Sequence, residues 1–226
     1  MNGGLMKRES IALVSAVALA IVSVTSASAQ SKSDWAGFYA GLHGGYGWGD
    51  LSADEADGFV KLKGGVGGGH IGYLWQFQSF VLGVEGDISY SAIGEKLHEV
   101  DGPETYDFEA KNNWLASLRA RAGVDVGPAL LYATGGLAWT DWSITETSRM
   151  AGFDDVKGFK TGGKDLGFVV GGGAEFKLTQ SIVARVEGLH YRFSGMDVAF
   201  EDDGELETVK LKEEITTVRG GLSVRF

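Results

Sequence analysis

The sequence predicts an all-β protein: an eight-stranded antiparallel up-and-down transmembrane β-barrel following a cleaved signal peptide. Three observations carry this. Eight segments alternate in polarity with a period of two, their connections alternate between short and long, and aromatic residues gather at both ends of the apolar face.

At the N-terminus, Lys7 and Arg8 precede an apolar run over residues 11–24 that ends in Ser26-Ala27-Ser28-Ala29. A basic start, an apolar stretch and a small-residue exit make a secretory signal peptide, with cleavage expected between Ala29 and Gln30. The alternative is a membrane anchor, but the run is short of the roughly 20 residues a spanning helix needs. Residues 1–29 are therefore read as the signal and 30–226 as one barrel domain. No later segment is apolar for long enough to cross a bilayer as a helix. Without Lys7, Arg8 and Glu9 the chain keeps 18 basic and 29 acidic residues, a formal charge of −11. That acidity argues against nucleic acid or anionic substrates as partners. The absence of cysteine excludes a disulfide framework and thiolate metal sites. The 36 glycines follow no collagen-like period and suit crowded, strongly curved strands.

The expected strands run over residues 37–49, 64–77, 80–92, 112–124, 129–142, 165–178, 182–193 and 213–226. Tight turns fall at 78–79, 125–128 and 179–181; long polar stretches at 50–63, 93–111, 143–164 and 194–212. Three short turns at one end and four long loops at the other, with both termini on the short side, describe a barrel crossing a membrane.

Alternation then separates two faces. In the third strand Phe80, Leu82, Val84, Ile88 and Tyr90 oppose Glu85, Asp87 and Ser89. In the fourth, Trp114, Ala116, Leu118, Ala120 and Ala122 oppose Asn113, Ser117, Arg119 and Arg121. In the sixth, Leu166, Phe168, Val170, Ala174 and Phe176 oppose Asp165, Glu175 and Lys177. In the eighth, Val218, Leu222, Val224 and Phe226 oppose Thr217, Arg219, Ser223 and Arg225. The fifth strand fits worst: Leu130 and Tyr132 go with the lipid face, while Leu131, Leu137 and Trp139 fall on the other parity, which points to a bulge near Gly135-Gly136 or to local packing inside the barrel.

Parity alone does not say which face is inside, and a soluble ligand-carrying barrel shows the same alternation. The membrane reading is preferred because mid-strand charges of both signs suit pairing in a narrow interior. Aromatic girdles also frame the apolar face. They comprise Trp48, Tyr90, Trp114 and Trp142 toward the long loops, with Phe38, Trp75, Phe77, Phe80, Phe176 and Phe226 toward the short turns.

Asp34-Trp35-Ala36-Gly37-Phe38-Tyr39-Ala40-Gly41 and Gly45-Tyr46-Gly47-Trp48-Gly49 resemble the opening strand of the small outer-membrane antigens of alphaproteobacteria, which are porin-family, OmpA-like β-barrels. Residues 67–73, 82–87, 132–138 and the terminal 217–226 are similar in the same way. The resemblance implies an outer-membrane location with periplasmic termini and surface-exposed antigenic loops. It also implies that the terminal Phe226 is read by the barrel-assembly machinery. It implies no settled enzyme activity and no cofactor.

Ten charges take the inward parity: Glu85, Asp87, Arg119, Arg121, Glu175, Lys177, Arg185, Glu187, Arg219 and Arg225. They form either an ion path or a paired plug. An eight-stranded barrel is just wide enough for its side chains to fill, which favours the plug. Glu85 and Glu187 are expected to pair with Arg119, Arg121, Arg185 or Arg219, since a buried charge left alone is costly. His43 and His70 share the inward parity, and His98 and His190 lie toward the loops, without metal- or heme-ligand spacing. Glu187, His190 and Ser194 supply the residue types of a hydrolase, but Glu187 and His190 fall on opposite faces. The glycine runs 64–69 and 171–173 precede no helix and cradle no phosphate. Acidic loops, such as 197–207, read as solvated surface, with divalent cations bridging them to lipopolysaccharide as an alternative. The expectation is a non-enzymatic outer-membrane barrel that supports envelope integrity and presents surface loops. Its partners would be outer-membrane lipids, lipopolysaccharide, the assembly machinery and host or environmental ligands. A weak diffusion pore, an adhesin or receptor, and a lipid-modifying enzyme are the alternatives.

Overall fold

The computed structural model describes residues 34–53, 56–101, 104–150, 156–202 and 205–226. The expected signal segment lies outside them. Eight antiparallel strands, β1 (Gly37–Ala53), β2 (Ala56–Phe77), β3 (Phe80–Asp101), β4 (Glu104–Asp125), β5 (Ala129–Met150), β6 (Val156–Lys177), β7 (Ile182–Asp202) and β8 (Glu205–Arg225), close in sequence order. The register measures the closure. From Tyr39 the partners run through Gly72, Glu85, Arg119, Gly136, Val169, Tyr191 and Ile215, and return to β1 at Gly49. The circuit gains ten residues along β1, a stagger that tilts every strand against the barrel axis.

The turns at the terminal end are short. Gln78 takes a positive φ of 58° between β2 and β3. Gly127, at φ 92°, closes the β4–β5 turn while its N–H donates to the Asp125 carboxylate at 2.8 Å. The opposite connections differ from expectation. Residues read as long loops continue the strands, with pairing as far as Ala53↔Ala56, Asp101↔Glu104, Arg149↔Val156 and Asp202↔Glu205. About 9–11 tilted residues cross the hydrocarbon, so roughly half of each 22-residue strand projects beyond it as a hairpin arm. Past the apolar belt polarity stops alternating with a period of two, and periodicity loses sight of the strand.

The fifth strand corrects the parity reading. Its register is unbroken from Leu130 to Asp141, with no bulge at Gly135-Gly136. Leu130, Tyr132, Thr134, Ala138, Thr140 and Trp142 face inward, and Leu137 and Trp139 face out. Trp142, assigned above to the outer girdle, is only 7% exposed inside the barrel; Trp139, at 37%, stands in the girdle instead. On β4 the register shifts between Asn112 and Trp114. This bulge puts the buried Asn112 inside, rather than Asn113, and leaves Trp114 half-buried on the outer side.

Outside, Trp48, Tyr90, Trp114 and Trp139 mark one edge of the apolar belt, and Phe38, Trp75, Phe77, Phe80, Phe176 and Phe226 the other. Between them the outward positions of the described strands hold no Asp, Glu, Lys or Arg. Charge begins just past the first edge, at Asp50, Lys63, Lys111, Asp141, Lys164, Arg192 and Glu214.

Candidate functional site

The barrel interior is stacked in three layers. At the turn end Trp35, Tyr39, Leu74, Val81, Leu130 and Val183 make an apolar floor. Toward the arms Ile93, Leu115, Trp142, Val169, Tyr191, Phe193 and Ile215, among others, form a larger apolar layer. Within that layer, in register with Ile93 and Trp142, Asn112 donates to Thr140 and, at 3.5 Å, to Glu213. Between the two apolar layers lie eight buried ions.

Strand register places most of these ions. Glu85 is directly opposite Arg119, Glu175 opposite Arg185, and Glu187 opposite Arg219. Each such neighbour pair forms an ion pair. Others reach across the lumen: Arg185 to Glu85 at 2.6 Å, Arg119 to Glu187 at 2.9 Å, and Arg219 to Asp87 at 2.9 Å. Arg121 spans from β4 to Glu175 on β6 at 2.7 Å, lying 3.8 Å over the Tyr132 ring of the intervening strand. Gly173 leaves room for that ring, since a Cβ there would fall 2.7 Å from the Tyr132 hydroxyl. Tyr39 donates to Glu85 at 2.6 Å and Tyr132 to Glu187 at 3.1 Å. Four arginines (119, 121, 185, 219) meet four carboxylates (85, 87, 175, 187), so the cluster is neutral. Neutrality matters because each uncompensated charge at this depth costs several kcal/mol, of order 3–5 when one partner is removed.

Two of the ten inward charges stand apart. Lys177 and Arg225 point into the mouth at the turn end, where they hold the segment before β1. Lys177 and Arg225 each donate to the Asp34 carbonyl at 2.7 Å, and Arg225 also donates to that of Ala36 at 2.9 Å. Their charges lie 4.5 and 5.4 Å from the Trp35 ring centroid, and the Trp35 backbone N–H donates to the Gln76 side-chain oxygen at 2.6 Å. Cation–π attraction and Trp burial fix this stopper. Tyr39 and Trp35 carry no charge and so escape a search for ions, although Tyr39 shares the parity of His43; Tyr132 was hidden by the misread face of β5.

His43 and His70 are a contacting pair. Arg219 can only donate, so His43 Nε2, 3.2 Å away, accepts; it also accepts from Ser89 at 2.7 Å. The His43 proton then sits on Nδ1 and is donated to His70 Nδ1 at 3.2 Å, leaving His70 Nε2–H for Ser223 at 2.8 Å. Both rings are neutral, and every ring nitrogen is engaged, which leaves no lone pair for a metal or heme iron. Among the described residues no group of three or more His, Asp or Glu is placed to hold a metal ion. His190 faces outward with Thr216 at 3.0 Å while Glu187 is buried in the cluster, so these two residues are not brought together. The side chains of His98 and Ser194, and of Asp197, Glu201, Asp202 and Glu205 in the fourth arm, lie outside the described ones.

A closed barrel with an apolar exterior, two aromatic edges and an ionic, plugged lumen is an integral membrane β-barrel. The chain belongs to the outer membrane protein beta-barrel domain family, whose profile matches residues 17–226. It is 32% identical over 192 residues to the 25 kDa outer-membrane immunogenic protein of Brucella abortus biovar 1 (strain 9-941), covering 85% of this chain and 79% of that one. It is 30% identical over 202 residues to the 22 kDa outer membrane protein of Rhizobium leguminosarum bv. viciae, covering 88% and 82%. Among solved structures it resembles Neisserial surface protein A in fold, with a TM-score of 0.50 at 15% identity, over 84% of this chain and 97% of that one. The protein is thus an outer-membrane β-barrel of a kind found in alphaproteobacteria.

Proposed function

We propose that this protein is a non-conducting, non-enzymatic barrel that contributes to envelope integrity and presents its four hairpin arms at the cell surface, with both termini in the periplasm. The stacking of the lumen carries the reading. A neutral cluster of mutually paired ions lies between two apolar layers, so a hydrated ion would have to break several buried pairs and cross both layers. The same packing leaves the interior no work other than holding the wall. What the protein offers its surroundings beyond the membrane is then the arms, which agrees with relatives named as immunogenic. Outer-membrane lipid and lipopolysaccharide surround the belt in this reading. Phe226, exposed at the barrel's end with its N–H bonded to the Phe38 carbonyl at 2.9 Å, is what the assembly machinery reads.

Planar-bilayer recording of the refolded chain tests this. No discrete conductance steps are expected at either polarity; steps that persist after further purification would make it a diffusion pore. Whole-cell proteolysis should cut the arms and spare the short turns, and the opposite pattern would reverse the orientation.

A further inference from the structure

The outer wall of β4–β6 carries a second feature. Lys111, Ser143 and Gly162 lie in register across three strands, and one step nearer the membrane Asp141 lies opposite Lys164. With no side chain at Gly162, the wall is hollowed into a concavity of about 630 Å³. Its two cations are accessible. Lys111, itself exposed, pairs with the half-buried Glu109 at 3.0 Å, and an ion pair with one partner in water is worth little. Lys164 has no ion pair among the described residues, because the Asp141 carboxylate is turned to the Asn113 amide at 2.8 Å. The other cation of the charged rim on the neighbouring strand, Arg192, is engaged by Glu214 at 3.5 Å. Directly below the hollow stand Trp114 and Trp139, the latter opposite the exposed Leu166, and below them the exposed Leu118 and Leu137.

We propose that this hollow binds the phosphorylated headgroup of an outer-leaflet lipid, with Lys111 and Lys164 holding the phosphate oxygens. The apolar wall below sets the acyl chains of any lipid seated there, and the tryptophans mark where hydrocarbon ends. A headgroup on those chains must therefore lie at the height of the two lysines. Ammonium groups at that boundary meet phosphate in a poorly screened environment, and the Ser143 hydroxyl lies between them as a donor. The continuous apolar wall singles out a lipid rather than free phosphate. The proposal rests on the outward orientation of the arms given above.

The test uses the full barrel refolded into phosphatidylcholine nanodiscs doped with bisphosphorylated lipid A, counting lipid A retained after detergent extraction. The K111A/K164A variant should retain at least roughly fivefold less than the original chain, while K111R/K164R and the β2 control K61A/K63A retain it. Equal loss in the β2 control, or no loss in K111A/K164A, overturns the site, as does equal retention of dephosphorylated lipid A. Release of lipid A by inorganic phosphate at millimolar concentration would overturn the choice of a lipid over free phosphate; retention supports it. Heat-modifiable mobility identifies variants that fail to fold, and for these the single substitutions K111A and K164A are read instead. Orientation is read separately in whole cells, by impermeant maleimide on cysteines placed singly at Lys164 and Thr179. Labelling at Thr179 alone would sink the orientation without touching the nanodisc result.

Discussion

Glu85→Gln isolates what the ion cluster contributes. Glu85 accepts from Arg119, from Arg121 at 3.0 Å, from Arg185 at 2.6 Å and from the Tyr39 hydroxyl at 2.6 Å. The amide keeps the shape but leaves four arginines facing three carboxylates. Removing one partner of a buried ion pair costs about 3–5 kcal/mol, chiefly because the remaining charge loses its compensation. Equilibrium urea unfolding in phosphatidylcholine vesicles, followed by tryptophan fluorescence, should show a loss of that order. Arg185→Gln, which strips Glu85 and Glu175 of one donor each, should cost a similar amount. The double variant returns to three against three and keeps Arg121 on Glu175, so it should be less destabilised than the two singles summed, by at least about 1 kcal/mol. Additivity within about 0.5 kcal/mol, or a single-variant loss below about 1 kcal/mol, would refute the claim that charge balance governs this layer. Both apolar layers survive these changes, so none of the variants should conduct.

Trp35→Ala removes the fully buried ring between Lys177 and Arg225 and should lower barrel stability by about 3–5 kcal/mol; an unchanged urea midpoint would mean the stopper is only resting in the mouth. Because the chain has no cysteine, single cysteines report the β5 faces directly. Cysteine at Leu137 or Trp139 should react with a lipid-soluble maleimide and cysteine at Ala138 or Trp142 should not, whereas the reverse pattern would restore the opposite parity. Nitrogen chemical shifts of the imidazoles at neutral pH should show the Nδ1–H tautomer for His43 and Nε2–H for His70; an imidazolium on either would break the assigned hydrogen-bond chain.

Much of this was legible in the residues, and the parts that were not share a cause. Strands β3, β6 and β8 announce themselves because one face is all apolar and the other carries charge. In β5 the inward face holds Leu130, Tyr132, Ala138 and Trp142, and the outward one Leu131, Leu137 and Trp139, so both look apolar. Polarity cannot orient such a strand; only its pairing with β4 and β6 does, and pairing is a property of the closed sheet. The same limit hid the arms, whose residues do not alternate in polarity, and the switch at Asn113, where one extra residue exchanges the faces of β4. Trp35 escaped for another reason: it belongs to no strand, and its place depends on Lys177 and Arg225 arriving from β6 and β8.

The ion cluster shows how far parity can go before register must take over. Parity lists inward charges but cannot say that Glu85 stands opposite Arg119, or that Arg121 must cross Tyr132 to reach Glu175. Those follow from the ten-residue stagger, which fixes which side chains share a level in the lumen. Lys177 and Arg225 make the point in reverse: equal in parity to the other eight, they sit a level lower and bind a tryptophan and backbone carbonyls instead of carboxylates. The stagger also separates the chemistry of the two halves of each strand. All eight clustered ions lie below the upper apolar layer, and their ion-pair partners are one another. The wall therefore balances its own charge without help from above, and a change of sequence in an arm leaves every ion of the cluster paired.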